Sequence, residues 1–281
     1  MVAVSIFMTG CHKKSLGGEN TMGTLFAFVK TGFKQRIIYR TSTLWKLVAS
    51  ALVLFLQIKL WQVLLSSSAI QDGRSLTDMV AYLVINALLA SLTRCNAADT
   101  LASLIGDGSI SCSLTRPISL KKQILCEQIG ANLHAMLFTV LLPAALALAL
   151  YGMTLPDVWH GVVFVVSAML GAVILFEIQY IIGMVAFYLT TVWFASFYIS
   201  GFMKLFGATV IPLWYYPDWL ANLCYCLPFR YITYEPILIF LQEASNPLQT
   251  IGIQLLWIGA LLLLEQFVWR RAERRLVVQG G

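Results

Sequence analysis

The chain has 281 residues, of which 59% are hydrophobic and only 11% charged, with 19 Lys or Arg against 13 Asp or Glu. A soluble domain averages roughly 45–50% apolar and about 25% charged residues, so a disordered chain, a collagen-like fibre, a disulfide-stapled secreted domain and an ordinary cytosolic enzyme are all excluded. A mean hydropathy of +0.80 leaves an all-α integral membrane protein.

In chain order, residues 1–21 read as an N-terminal tail, with disorder as one option and Met22 as an alternative start. Phe7-Met8-Thr9-Gly10-Cys11 has the look of a lipoprotein cleavage box. The apolar stretch before it is short and lacks a basic start, so it is read as part of the tail. From Met22 to Arg40, the residues Leu25, Phe28, Val29, Gly32, Phe33 and Ile37 share one helical face. Lys30, Lys34, Gln35 and Arg40 lie largely opposite. This pattern predicts a helix lying in the inner membrane interface with its cations at the headgroups.

About 20 apolar residues are needed to cross roughly 30 Å of hydrocarbon. The first candidate spans are Leu44–Leu65 and Leu76–Leu92, the second short and carrying Asp78 and Asn86. Thr93–Gly130 follows, too long for a simple connector. Within it Asp99 to Ile105 belongs to a short amphipathic helix with Leu101, Leu104 and Ile105 on one side. Gly106, Asp107 and Gly108 end that helix, and Leu114-Thr115-Arg116-Pro117 comes after. A short helix closed by a glycine turn suits docking to a separate protein; a packed loop that stabilises the bundle is the alternative.

Ala131–Tyr151 is the third span. Val162–Ile211 is 50 residues long. That is about 75 Å of helix, more than twice the membrane, so it folds back once. The polar pair Thr190-Thr191 is the expected turn, which gives spans Val162–Leu189 and Val192–Ile211. Glu177 falls near the middle of the first of these. A carboxyl buried there costs about 3 kcal/mol, so it faces a partner, a cavity or a substrate, or it is protonated and hydrogen-bonded to a neighbouring helix. Lys46, Lys59 and Glu265 lie near span ends and can snorkel. Lys204 falls within a span.

The segment Pro212–Gln249 holds eight aromatics, Trp214, Tyr215, Tyr216, Trp219, Tyr225, Phe229, Tyr231 and Tyr234. Pro212, Pro217, Pro228 and Pro236 cut it into pieces too short to cross. It is expected to dip into the outer leaflet as re-entrant or interfacial helices, serving as a gate or as a plain aromatic belt. Ile251–Val268 is the sixth span.

Charge placement orients these six spans. With the N-terminus inside, the cytoplasmic segments hold Lys13, Lys14, Lys30, Lys34, Arg36, Arg40 and Lys46, then Arg94, Arg116, Lys121 and Lys122, then Arg270, Arg271, Arg274 and Arg275. That is 15 of the 19 cations. A five-span chain would put the last four outside, against the positive-inside rule. Both termini are therefore expected in the cytoplasm, and the basic excess reads as topology, with no nucleic acid implied.

No G-x-x-x-x-G-K-[ST] loop is present, and Gly106-Asp107-Gly108-Ser109 reads as a turn. H-E-x-x-H, G-x-S-x-G and paired Asp-rich motifs are missing as well, which removes the commonest hydrolase readings. The six cysteines show no C-x-x-C, and Cys224-Tyr225-Cys226 is too weak to read as a metal site or a bridge. Ionisable groups within spans are too few for a proton relay.

Six spans, an interfacial N-terminal helix, Ile105-Gly106-Asp107-Gly108-Ser109-Ile110 with Leu114-Thr115-Arg116-Pro117, and a late Pro212-x4-Pro217 segment with Leu227-Pro228-Phe229 resemble the ABC-2 type permeases. More narrowly they are similar to the subfamily of bacterial drug and viologen exporter permeases. The tail Val278-Gln279-Gly280-Gly281 fits as well, so the resemblance runs from about Met22 onward. It implies a type V exporter-like fold in the bacterial inner membrane, over one domain, residues 22–281. Two permease subunits would pair around a shared pathway, as a homodimer or, more often in this subfamily, a heterodimer, within membrane lipid. Two copies of a separate ATPase would dock from the cytoplasm. ATP and Mg would sit on that partner, with no cofactor or metal on this chain. The family's coupling helix maps onto Asp99, Leu101, Leu104 and Ile105 with Gly106, Asp107 and Gly108 as its turn, followed by Arg116 and Pro117. The outer gate maps onto Pro212, Trp214, Tyr215, Pro217, Pro228 and Phe229, and Glu177 is a pathway candidate. Cys95 and Asn96 depart from the more acidic entry expected of a coupling helix. The competing reading is a self-contained membrane enzyme or carrier with a cavity around Glu177; a membrane scaffold is a third.

Overall fold

Every regular element among the described residues of the computed structural model is a helix; these residues are 21–38, 40–66, 75–116, 118–152, 155–188 and 195–279. Five stretches are long and apolar enough to cross a membrane: Thr41–Ser66, Leu76–Gly106, Leu120–Tyr151, Val158–Phe187 and Pro247–Arg271. Of the remaining expected span, Val192–Ile211, the described residues include the 12-residue helix Ala195–Phe206. The turn expected at Thr190-Thr191, the tail 1–20 and Pro117 lie outside the described residues.

Helix α1 (Thr21–Ile38) buries Gly32 and half-buries Leu25, Phe28, Val29 and Phe33, while Lys30 and Lys34 stay exposed, as the pattern predicts. Ile37 is the exception and is exposed. The helix does more than float at an interface: it is clamped to α6 (Leu120–Tyr151). A Cβ on Gly32 would stand 2.1 Å from the Glu127 carbonyl oxygen, and one on Gly130 would stand 2.0 Å from that of Val29. Two glycines facing opposite ways let the two backbones touch. Replacing Gly130 with Val is therefore expected to detach α1. Faster proteolytic loss of the N-terminal segment, with the remaining chain still folded, would register it; an unchanged cleavage rate would contradict the clamp.

Helix α2 (Arg40–Ser66) turns Leu54, Ile58 and Trp61 inward and leaves Leu44, Val48, Leu52 and Phe55 exposed. Helix α3 (Leu76–Leu92) is buried along most of its length. Asp78, which made this span look weak, belongs to a capping box. The Ser75 hydroxyl accepts from the Asp78 N–H, and the Asp78 carboxylate accepts from the Ser75 N–H. The acid thus closes the helix start and does not burden its middle.

Beyond α3 come α4 (Ala97–Gly106) and the short α5 (Ile110–Leu114). The polar connector read as Thr93–Gly130 is shorter than expected, because α6 already begins at Leu120. Its polar residues are spoken for. Buried Gln123 donates to the carbonyls of Ser113 and Ile118 at 3.1 and 2.7 Å. Asn132 and Gln128 donate to the backbone of Leu92 and Arg94, which satisfies the chain where α3 stops. Within α6 a π-helical stretch, Met136–Val140, precedes Pro143. Pro143 has no N–H for the Thr139 carbonyl four residues back, and the Ser50 hydroxyl of α2 donates to that oxygen instead, at 2.5 Å.

Helix α7 (Val158–Met184) starts on Asp157, whose carboxylate caps the His160 N–H. It is the central post. A Cβ on Gly171 would meet the Ile232 carbonyl at 2.7 Å, and one on Gly183 would meet Ala98 at 3.0 Å. Helices α8 (Ala195–Phe206), α9 (Asp218–Tyr225), α10 (Arg230–Phe240) and α11 (Pro247–Gln279) complete the bundle. Gln254 of α11, fully buried, donates to Ser167 of α7 and Tyr231 of α10. One amide thus ties three helices together.

Candidate functional site

The residues singled out in the sequence gather at three places. The first is the seat of α4. Ala97, Ala98 and Leu101 are buried, and Leu101 lies in a cluster with Phe176, Tyr180 and Met184 of α7 and with Leu120 and Ile124 of α6. Gly183 makes room for this: its missing side chain lets Ala98 and Leu101 press on the α7 backbone. Leu104 and Ile105 pack at the edge of the same cluster. The sequence places Leu101, Leu104 and Ile105 on one side of this helix, and in the structure that side packs on the bundle. They form the inward face, because an apolar stripe buries itself on the nearest apolar helix. The exposed edge is Asp99, Ser103, Gly106, Asp107 and Gly108, with Gly108 at φ +70° forming the turn. Asp99 is not wholly free: the Ser196 hydroxyl of α8 donates to its carboxylate at 2.6 Å. Arg116 donates to Gln123 at 3.1 Å and lies over the Phe28 ring of α1.

The second place is a three-helix ion cluster beside that seat. Lys121 of α6 reaches Glu177 of α7 at 2.7 Å and Glu265 of α11 at 2.6 Å. Glu177 is buried, so an ionised carboxylate there needs a cation. Lys121 meets that need and lies 5.8 Å over the Tyr180 ring. Of the options left open for Glu177, the partner is what the structure displays. Glu177 lies seven positions before the end of α7 at Met184, on the α4 side of that helix's centre. Lys121 and Glu265 were missed as members. The available signal was the tally of lone charges near apolar spans, two acids and one base, with no pairing discernible in one dimension.

The third place is the segment after α8. Of its aromatics Tyr231 and Tyr234 are buried, Trp214, Tyr215, Tyr216 and Phe229 are half-buried, and Trp219 and Tyr225 are exposed. Trp61 stacks on Tyr215 with centroids 5.1 Å apart, and Trp214 meets Tyr82 edge-on at 5.0 Å. The Tyr82 hydroxyl donates to the Ala208 carbonyl at 2.5 Å. Phe229 stacks on Phe202 of α8 at 5.8 Å. Pro212 and Pro228 are buried, whereas Pro217 and Trp219 are exposed. Helix α10 is buried almost throughout and holds an Arg230–Glu235 pair at 2.6 Å. The Tyr225 ring covers Arg230 at 3.4 Å, and Thr250 donates to Glu235 at 3.2 Å. Sequence reading missed this pair, because Arg230 reads as a boundary cation and Glu235 as loop.

An amphipathic helix thus sits on the central post α7, with an ion cluster beside it and an aromatic-rich segment after α8. The sequence matches the family model described as ABC-2 family transporter protein over residues 51–280. The chain belongs to the ABC-2 transporter family. No curated protein matches it. As an ABC-2 permease it is a multi-pass membrane component of transport, and the family accounts for the architecture from α2 onward. The matched residues begin within α2, so α1 lies before them.

Proposed function

We propose that this ABC-2 permease is the pathway-forming subunit of an ATP-driven exporter in the bacterial inner membrane, coupled through α4 to a separate ATPase. Both termini lie in the cytoplasm, two ATPase copies dock there carrying ATP and Mg, and a second permease completes the pathway, a heterodimer being favoured. The observation that carries this reading is the construction of α4. Its apolar face grips α7 at Gly183, and its polar edge, Asp99, Ser103, Gly106, Asp107 and Gly108, faces away from the bundle. A helix held so tightly on one side moves with α7 when pushed from the other. Asp107 is the contact proposed nearest the ATPase, and Arg116 with Pro117 is proposed to support the returning chain. The segment from Pro212 to Phe229 is proposed as the outer gate, with Trp214, Tyr215, Pro217 and Pro228 shaping it. The ion pairing of Glu177 favours this permease over a self-contained carrier, since Lys121 gives the carboxylate a structural partner that ties α7 to α6.

Asp107→Lys combined with Ser103→Lys is expected to abolish ATP-driven export while the chain still inserts and folds, because both positions are exposed. Transport assays in vesicles, alongside ATPase co-purification under gentle detergent, provide the check. Wild-type export by the double variant, or purification from the native host with no ATPase subunit, would overturn the coupling assignment.

A further inference from the structure

A groove of about 430 Å³ opens between α2, α3, α6 and α8, within the usual size of a small-molecule site. Lys46, Arg94 and Lys204 line it, and no Asp or Glu does. An adjoining cavity of about 290 Å³ shares Lys46 and Arg94 and adds Arg36 and His134, again with no carboxylate. Among the described residues, Lys46, Arg94 and Lys204 form no ion pair. This contrasts with Lys121, which holds two carboxylates. All three groove cations are exposed; Lys46 and Arg94 lie at helix ends, whereas Lys204 falls within a segment read as membrane-embedded, where a cation by default faces a ligand or a pathway.

A second observation concerns the same groove. Asn86, which lines it, is only 6% exposed. Its amide nitrogen donates to the Thr209 carbonyl at 2.6 Å, but its Oδ1 has no partner. That oxygen is itself buried, so Asn86 adds polarity to the groove wall without offering a hydrogen bond at its surface. Val53, Leu54 and Val210 supply an apolar wall beside these polar groups.

We propose that this groove binds an anionic amphiphile: an acidic head held by Lys46, Arg94 and Lys204, and an apolar tail along Val53, Leu54 and Val210. The same field disfavours a cationic cargo. The assignment rests on the permease reading only in placing the groove on a transport route; the binding itself belongs to the chain alone.

The test uses the full chain in neutral detergent, without any ATPase, and phosphatidylglycerol carrying a fluorescent acyl chain. It should bind at least about ten-fold tighter than phosphatidylcholine with the same chains, since a charged contact near a membrane surface contributes about five-fold per cation. K46Q and K204Q should each weaken it about five-fold, whereas K59Q, which removes a cation at the far end of α2, should not. Equal binding of phosphatidylcholine, K46Q and K204Q proteins that bind like wild type, or full competition by glycerol 3-phosphate lacking a tail would each overturn the proposal. Unchanged thermal stability of K46Q and K204Q separates a binding loss from a folding loss. Reconstitution with the ATPase then distinguishes the two sources of this chemistry. ATP-driven movement of the bound lipid to the other leaflet identifies cargo, and binding without movement identifies a resident lipid; both uphold the anionic site. Failure of the ATPase to associate would sink the exporter reading and leave the binding result standing.

Discussion

Leu101→Asp is expected to unfold the α4 end of the bundle. Leu101 is fully buried between α7 and α6, beside a glycine that admits it. Truncation to Ala alone would cost about 2–5 kcal/mol through lost contacts and the cavity left behind. A carboxylate adds desolvation with no cation in its cluster to answer it, which moves the variant beyond the usual range of single substitutions. Thermal unfolding in detergent is the measurement, with Ser103→Asp as comparison. Ser103 is on the same helix but exposed, so its effect should stay within about 0.5 kcal/mol. Equal melting of the two variants would show that α4 is not seated as described. The expected result also revises what an Asp at position 101 can teach: lost transport there reports a broken seat, not a lost ATPase contact.

Lys121→Met should be the second most damaging change. It leaves Glu177 and Glu265 facing each other with no cation, in a place where Glu177 retains 5% of its side-chain exposure. Removing one partner of a buried ion pair costs about 3–5 kcal/mol, and the low end applies because Lys121 keeps 23% exposure. The informative variant is the triple one, Lys121→Met with Glu177→Gln and Glu265→Gln. Neutralising both acids removes the repulsion, so stability should return towards wild type. A melting temperature that stays low in the triple variant would mean that Lys121 acts through packing and not through charge.

Periodicity made some of this fold legible. The face of α1 that carries Leu25, Phe28, Val29, Gly32 and Phe33 is the one that packs, because a 3.6-residue repeat has one apolar side wherever it lies. Ile37 escapes only because the partner helix has diverged by then. The bounds of α3 were equally readable, and Asp78 would have fitted had Ser75 been recognised as its capping partner. What hydropathy could not convey was pairing. Leu120 to Gly130 looks like loop because Lys121, Gln123, Glu127 and Gln128 make it polar, yet Lys121, Gln123 and Gln128 serve carboxylates and carbonyls supplied from up to 144 residues away. The aromatic segment misled for the opposite reason. Trp214 and Tyr215 suit a membrane boundary by chemistry, but Tyr82 and Trp61 offer them stacking partners inside, and a tertiary contact outweighs a positional preference. At the coupling site the helix and its turn were evident from sequence, whereas its facing direction depended on Gly183, far along the chain.

The break inside α6 has a mechanical meaning. A helix normally resists bending because each turn is stitched to the one before it. Around Thr139 that stitch is gone: the proline cannot supply it, and a hydroxyl from α2 has taken over the vacant oxygen. The two halves of α6 thus meet at a weakened point, the lower one fastened to α1 and to the ion cluster, the upper one to α2 and α3. One backbone bond fewer than in a regular helix holds that point, with the Leu141 N–H still donating to the Met136 carbonyl across it. A load applied near Lys121 can therefore tilt the lower half while the upper one keeps its place in the wall.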